Sequence, residues 1–208
     1  MLRILIADDH TVVRKGLRQI LLEEFPNAVI GEVPDAEELI KKVMAEKWDV
    51  VVSDLSMPGR SGLDALQQIK LSFPDLPVLI LSIHPEEQYA LRALKSGASG
   101  YLSKDTAPDE LVKAVQKVLL GKKYISHAIA EKLANTFSSG DKHPHENLSD
   151  REFDVMKLLA NGKSVSDIAD MLSLSVTTVS TYRARVMTKM NLKSNSDLTK
   201  YAIENKLI

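Results

Sequence analysis

The 208-residue chain has no cysteine, which excludes disulfides, thiolate zinc sites and a cysteine nucleophile. No apolar run approaches the length needed to cross a bilayer, and the N-terminus meets Asp8 too soon for the apolar core of a secretion signal. A cytoplasmic location with no membrane partner is the expectation. Neither charge dominates: 27 Lys and Arg stand against 28 Asp and Glu, so composition alone indicates no acidic or basic partner. The distribution is slightly uneven. Residues 1–147 hold 18 basic and 21 acidic side chains, and residues 148–208 hold nine and seven.

What the chain does have is alternation. Strand patterns over residues 2–7, 28–33, 49–54, 77–83 and 100–103 are each followed by apolar residues at helical spacing, over residues 10–25, 35–46, 62–73, 85–96 and 107–120. Five strand–helix repeats in about 120 residues predict a doubly wound parallel sheet, its strand order left open between the common ones. The run Val50-Val51-Val52-Ser53-Asp54 reads as a strand buried on both faces that ends in one carboxylate, before a turn marked by Pro58 and Gly59. A further helix is expected over residues 126–137 and a polar linker over 138–147. Residues 148–208 then switch to four short helices, the second and third separated by the tight Leu172-Ser173-Leu174-Ser175 turn, as in a helix-turn-helix.

The chemistry gathers where the strands end. Asp8 and Asp9 leave strand one, Asp54 leaves strand three, Ser82 ends strand four and Lys104 follows strand five. Neighbouring strands would bring three carboxylates together, an arrangement that raises a pKa or demands a cation. Oxygen donors without cysteine favour a hard ion such as Mg2+. An aspartate nucleophile, a divalent ion, a hydroxyl and a lysine are the parts that form and neutralise an acyl phosphate. The plainer alternative is that Asp8 or Asp9 caps the following helix.

Residues 1–121 resemble a response-regulator receiver domain through Asp8-Asp9, "DLSMPGRSG" with Gly62 eight residues past Asp54, Ser82, and "GYLSKD" ending in Lys104-Asp105. The resemblance implies a flavodoxin-like five-stranded sheet in the order 2-1-3-4-5, and that Asp54 accepts a phosphoryl group from a histidine kinase. It implies Mg2+ bound by Asp9, Asp54 and the carbonyl of Ser56, with Asp8 nearby, and phosphoryl oxygens met by Ser82 and Lys104. Tyr101 matches the family's switch aromatic; taken alone it is an ordinary strand aromatic. Asp105 stands where many relatives have proline. Ser56 and His84 occupy positions that tune dephosphorylation in the family, and His84 is expected to be exposed.

In the third C-terminal helix, placing Val179, Val186 and Met190 on the buried stripe puts Thr177, Thr181, Ala184, Arg185 and Thr188 on the opposite face. The only charges from Ser175 to Met190 are Arg183, Arg185 and Lys189, and Arg183 reaches out from the flank. Threonine and arginine on a solvent face suit phosphate and base-edge contacts in a major groove, although a solvated helix with three basic residues would look the same. Residues 148–198 resemble the four-helix DNA-binding domain of the LuxR/NarL/FixJ class at Leu148, Glu152, Leu159, Gly162, Ile168-Ala169, Leu172, Thr178-Val179 and Met190. Ser180 and Tyr182 stand where many relatives carry Lys and His. The last helix, with Leu198, Tyr201, Ala202 and Ile203, matches the family's dimerisation helix.

Together the two resemblances imply a receiver (1–121), a connecting segment (122–147) and a DNA reader (148–208). Phosphorylation of Asp54 would favour a homodimer on double-stranded DNA, with RNA polymerase a further partner and no turnover of external substrate. Two alternatives stay open: a phosphatase working through an aspartyl phosphate, and a regulator that binds DNA constitutively with the receiver as a dimerisation module. A flavin mononucleotide binder fits poorly, because acids stand where a phosphate-cradling loop would follow strand one.

Overall fold

Val50–Val52 carry three β-branched side chains in a row, and such a strand is stable only where both faces are covered. In the computed structural model, which describes residues 1–84, 86–127, 129–131 and 143–208, that condition is met. The chain forms two units, Met1–Ser138 and Ser139–Ile208. In the first, strands β1 (Arg3–Ala7), β2 (Val29–Val33), β3 (Val50–Asp54), β4 (Val78–Ser82) and β5 (Gly100–Ser103) alternate with helices α1 (Thr11–Glu24), α2 (Ala36–Ala45), α3 (Gly62–Ser72), α4 (Glu86–Lys95) and α5 (Ala107–Leu119). The sheet is parallel throughout, as the alternation predicts, in the order β2-β1-β3-β4-β5 that the receiver resemblance implies.

Every residue of β3 and of β4 is buried. On one side α1 and α5 cover the sheet, with Leu17 and Leu21 packed among Val50, Val52, Leu79, Leu111, Val115 and Val118. Each aliphatic side chain so buried contributes roughly 1.5–3 kcal/mol over an exposed one. The register then fixes the rim. Ala7 pairs with Ser53, Asp54 with Leu81, and Ser82 with Ser103, so Asp8, Asp54, Ser82 and Lys104 emerge on neighbouring strands at the same sheet edge. Gly62 is part of this geometry: its N–H donates to Leu55 O at 2.9 Å, and a Cβ there would lie 1.9 Å from the Asp54 carbonyl oxygen. No side chain fits.

β5 would be an open edge, but the chain beyond α5 returns to it. Tyr124 N–H donates to Ser99 O (2.9 Å) and Tyr101 N–H to Tyr124 O (3.3 Å). Pairing this close requires Gly100, where a Cβ would sit 2.6 Å from Tyr124 O. Of the helix expected over residues 126–137, residues 128 and 132–137 lie outside those described, as does 138–142 of the expected linker; the buried Ile129 belongs to the described part.

The second unit opens with a 3-10 turn (Pro144–Asn147) and continues as α6 (Asp150–Ala160), α7 (Val165–Leu172), α8 (Val176–Met190) and α9 (Asn195–Glu204). Each helix starts at a serine (Ser149, Ser164, Ser175, Ser194) whose side chain accepts the N–H three residues on, a cap worth about 1 kcal/mol. Ser149–Glu152 forms a reciprocal capping box. The small core contains Phe153, Met156, Leu159, Ile168, Val179, Val186, Met190 and Leu198. Among the described residues, no helix is long and apolar enough to cross a membrane.

Candidate functional site

The first cluster is built by strand ends. Asp8 and Asp54 are almost wholly buried (0% and 3% exposed), and a buried carboxylate is tolerated only with compensating partners. Asp54 Oδ1 accepts from Ser56 N–H at 3.2 Å, and Oδ2 accepts from Lys104 Nζ at 2.7 Å. The same ammonium lies 2.7 Å from Asp8 Oδ2, as an ion pair without hydrogen-bond alignment. Asp8 Oδ1 accepts from His10 N–H, and Arg14 donates to the Asp8 carbonyl at 2.6 Å. Asp9 Oδ1 sits 2.8 Å from His10 Nδ1.

Neither Asp8 nor Asp9 caps α1. The N-cap is His10, with no side-chain hydrogen bond, so capping does not account for these acids. Ligand atoms of Asp8, Asp9, His10 and Asp54 all lie within 4.8 Å of one another. Asp8 Oδ2 and Asp9 Oδ1 are buried without a well-formed hydrogen bond, which leaves lone pairs for a cation. Three carboxylates against one close ammonium leave the cluster short of positive charge. Burial pushes the Asp54 carboxyl above its ordinary range, and the Asp8 charge adds to this, while Lys104 and Ser56 N–H pull it back in part. For Lys104, burial works to lower the pKa but is outweighed by Asp54 and Asp8, and the net shift is upward. The ammonium is therefore a fixed charge. An oxygen-dominated set of this kind fits a hard divalent ion.

A second layer joins the switch candidates. Buried Ser82 accepts from His84 N–H at 2.9 Å, and Lys104 N–H donates to Ser82 O. Tyr101, 2% exposed, donates from its hydroxyl to His84 O at 3.0 Å. His84 Nε2 is 3.0 Å from Ser56 Oγ, and its ring stacks on Tyr89 at 4.7 Å. The expectation that His84 would be merely exposed does not hold: it is half-buried and links Ser56, Ser82 and Tyr101. His10 and Arg14 are the neighbours that sequence reasoning missed. Only proximity to Asp8 in the chain hinted at them.

On α8, Val179, Val186 and Met190 are buried, and Thr177, Ser180, Thr181, Ala184, Arg185, Thr188 and Lys189 are exposed. Thr178 is half-buried and committed to the cap, its N–H and hydroxyl both meeting Ser175 Oγ. Tyr182 and Arg183 are also half-buried. Arg183 Nε and Nη2 both donate to Asn195 Oδ1, at 3.1 and 3.0 Å. Lys189 Nζ donates to the buried Glu152 at 2.6 Å. Among the described residues the Arg185 guanidinium meets no carboxylate, so the helix offers one uncommitted cation and a neutral face of short side chains.

Comparison with known proteins agrees with both halves. Residues 4–116 match the family described as response regulator receiver domain, and residues 146–202 match bacterial regulatory proteins of the luxR family. The oxygen regulatory protein NreC of Staphylococcus epidermidis is 39% identical over 216 residues, spanning all of this chain and 99% of NreC. RcsB of Salmonella enterica serovar Typhimurium, solved bound to promoter P1flhDC in the presence of the phosphomimetic BeF3−, is 30% identical with a TM-score of 0.60, covering 96% of this chain and 97% of that one. Another structure, of two RcsB dimers bound to two parallel DNAs, is 29% identical with a TM-score of 0.59 over the same shares.

Proposed function

The chain belongs to the LuxR-type response regulators of the NarL/FixJ class, and on that premise we propose that it is a DNA-binding transcription regulator switched by phosphorylation of Asp54. The receiver is residues 1–121, the connecting segment 122–147 and the reader 148–208. A histidine kinase supplies the phosphoryl group: an Asp54 carboxylate oxygen forms a bond to phosphorus as the phosphorus–nitrogen bond of the kinase breaks. Asp9, Asp54 and the Ser56 carbonyl, with Asp8 beside them, would hold Mg2+, which neutralises charge on the transferring group when bound. The observation that carries this reading is the position of Lys104 Nζ, 2.7 Å from both Asp8 and Asp54 in a buried cluster with excess negative charge.

Lys104 and Ser82 then face the oxygens of the phosphoryl group, and the ammonium trades a carboxylate partner for a phosphate one. Because Ser82 Oγ accepts from His84 N–H and Tyr101 donates to His84 O, movement of the Ser82 hydroxyl is felt at the Tyr101 ring. Hydrolysis of the aspartyl phosphate in this same site resets the switch; no external substrate is turned over. The RcsB structures with dimers on DNA and with a phosphomimetic support a phosphorylated homodimer as the DNA-bound form here; a cytoplasmic location and RNA polymerase as the downstream partner complete the proposal. The test is incubation with acetyl phosphate and Mg2+, reading phosphate incorporation in wild type and Asp54→Asn, then DNA affinity of each. Equal labelling of the two proteins would remove Asp54 from the role.

A further inference from the structure

The exposed face of α8 has an unusual chemistry for a helix that reads base edges. Thr181, Ala184 and Thr188 follow one another at three- and four-residue spacing, so they form a single row along the helix. Thr181 donates its hydroxyl to Thr177 O at 3.0 Å, and Thr188 donates to Ala184 O at 3.0 Å. Both hydroxyl protons are therefore spent on the helix backbone, and the β-branched geometry leaves the γ-methyl as the group turned away from it. Ala184 adds its β-methyl between them. The row presents three methyl groups.

The long side chains that dominate hydrogen-bonded base readout do not contribute to this row. Arg183 is pinned to Asn195 and Lys189 to Glu152; Arg185 shares the exposed face and borders the row, four residues from Thr181 and three from Thr188, within reach of a backbone phosphate. In the major groove, the apolar feature of a base pair is the C5-methyl of thymine, and alanine and threonine methyls are its protein counterparts.

We propose that α8 selects its operator by methyl-to-methyl contact with thymine, with Thr181, Ala184 and Thr188 as the specificity-determining residues. This rests on the DNA-binding reading above and deepens it by naming the base that is read. The preferred half-site carries thymines at the positions facing the row, and hydrogen bonds to base edges contribute little of the discrimination there.

The test uses the full chain treated with acetyl phosphate and Mg2+. Sites are first selected from random duplex DNA at fixed salt. Each thymine of the selected duplex is then replaced singly by deoxyuridine, which removes the methyl and keeps the hydrogen-bonding pattern. Binding should weaken about fourfold at each contacted thymine, the equivalent of one buried methyl-sized group. In Thr181→Ser, which keeps the hydroxyl and loses the methyl, the deoxyuridine penalty should vanish at one position. Thr181→Val, which keeps the methyl, should retain the penalty. Helical circular dichroism of each variant reports whether α8 still folds. Uniform affinity across all deoxyuridine duplexes, or a penalty that Thr181→Ser leaves intact at every position, overturns the inference while DNA binding stands. If no duplex is bound under any condition, the DNA-binding reading falls and this inference with it.

Discussion

Replacing Lys189 by methionine should destabilise the second unit and leave the first untouched. Glu152 is 3% exposed and its Oε2 accepts from Lys189 Nζ (2.6 Å) and from Ser149 N–H (2.7 Å). Taking one partner from a fully buried ion pair costs about 3–5 kcal/mol. Two features reduce this figure: Glu152 keeps the Ser149 N–H bond, and the Lys189 side chain is 41% exposed, so water already screens part of the attraction. A loss of about 2 kcal/mol remains, equivalent to a urea midpoint roughly 2 M lower for a domain this small. Because the chain's one tryptophan, Trp48, belongs to the first unit, its fluorescence serves as an internal control while circular dichroism follows both units. The Lys189→Met protein should lose part of its helical signal early in a urea titration, with the Trp48 transition unmoved. The gap should narrow in acid. Burial tends to raise the Glu152 pKa, but Lys189 and Ser149 outweigh it and hold the carboxyl below its ordinary value. The pair thus contributes fully above the unfolded-state glutamate pKa of about 4.3, and its contribution is lost as pH falls through the lower folded value. Coincident wild-type and variant titrations at neutral pH would refute the reasoning and return Lys189 to the pool of free phosphate contacts.

Three further outcomes are expected. Lys104→Met leaves the buried Asp8 and Asp54 without their shared ammonium, so it should cost about 3 kcal/mol in metal-free buffer, and Mg2+ should raise its melting temperature more than it raises that of wild type; an equal rise in the two proteins would argue against a cation site here. Gly62→Ala drives a Cβ into the Asp54 carbonyl 1.9 Å away, so the turn must move, with a loss of about 3 kcal/mol and a blunted Mg2+ response; a stable variant with unchanged response would contradict the close approach. Gly100→Ala meets Tyr124 O at 2.6 Å and the Leu79 side chain at 2.8 Å, and should cost about 2 kcal/mol while speeding hydrogen exchange of the Tyr101 and Tyr124 amides. Unaltered protection of those two amides would show that Tyr124 does not close the β5 edge.

The fold was legible because its information is local. Val50–Val52 and the alternation of strand and helix patterns each declare themselves within a few residues, whereas the strand order was implied by the receiver resemblance and not by the alternation. Helix ends shifted by only a residue or so: α1 spans Thr11–Glu24 and α4 spans Glu86–Lys95. Asp8, Asp9, Asp54, Ser82 and Lys104 could be grouped in advance because each stands at a strand terminus, and a parallel sheet places those termini on one rim. Partnerships between distant positions were not legible. Glu152 with Lys189 and Arg183 with Asn195 span 37 and 12 residues, and nothing in the local sequence says which of three basic residues on α8 will be tied down. The same holds for His84, whose role follows from Ser56 and Tyr101 arriving on either side of it. Nor does the sequence show that the Thr181 and Thr188 hydroxyls turn back onto their own helix.

The register of the sheet also governs time. Closing β1 onto β3 brings Ile4 beside Val50, residues 46 positions apart, before any bond of that ladder forms. The chain must therefore close a long loop ahead of the reward. The second unit starts more locally, because each of its helices begins at its own serine cap, although Glu152 must still meet Lys189 across 37 residues. On dilution from denaturant, its helical signal should mature ahead of the Trp48 signal from the sheet unit.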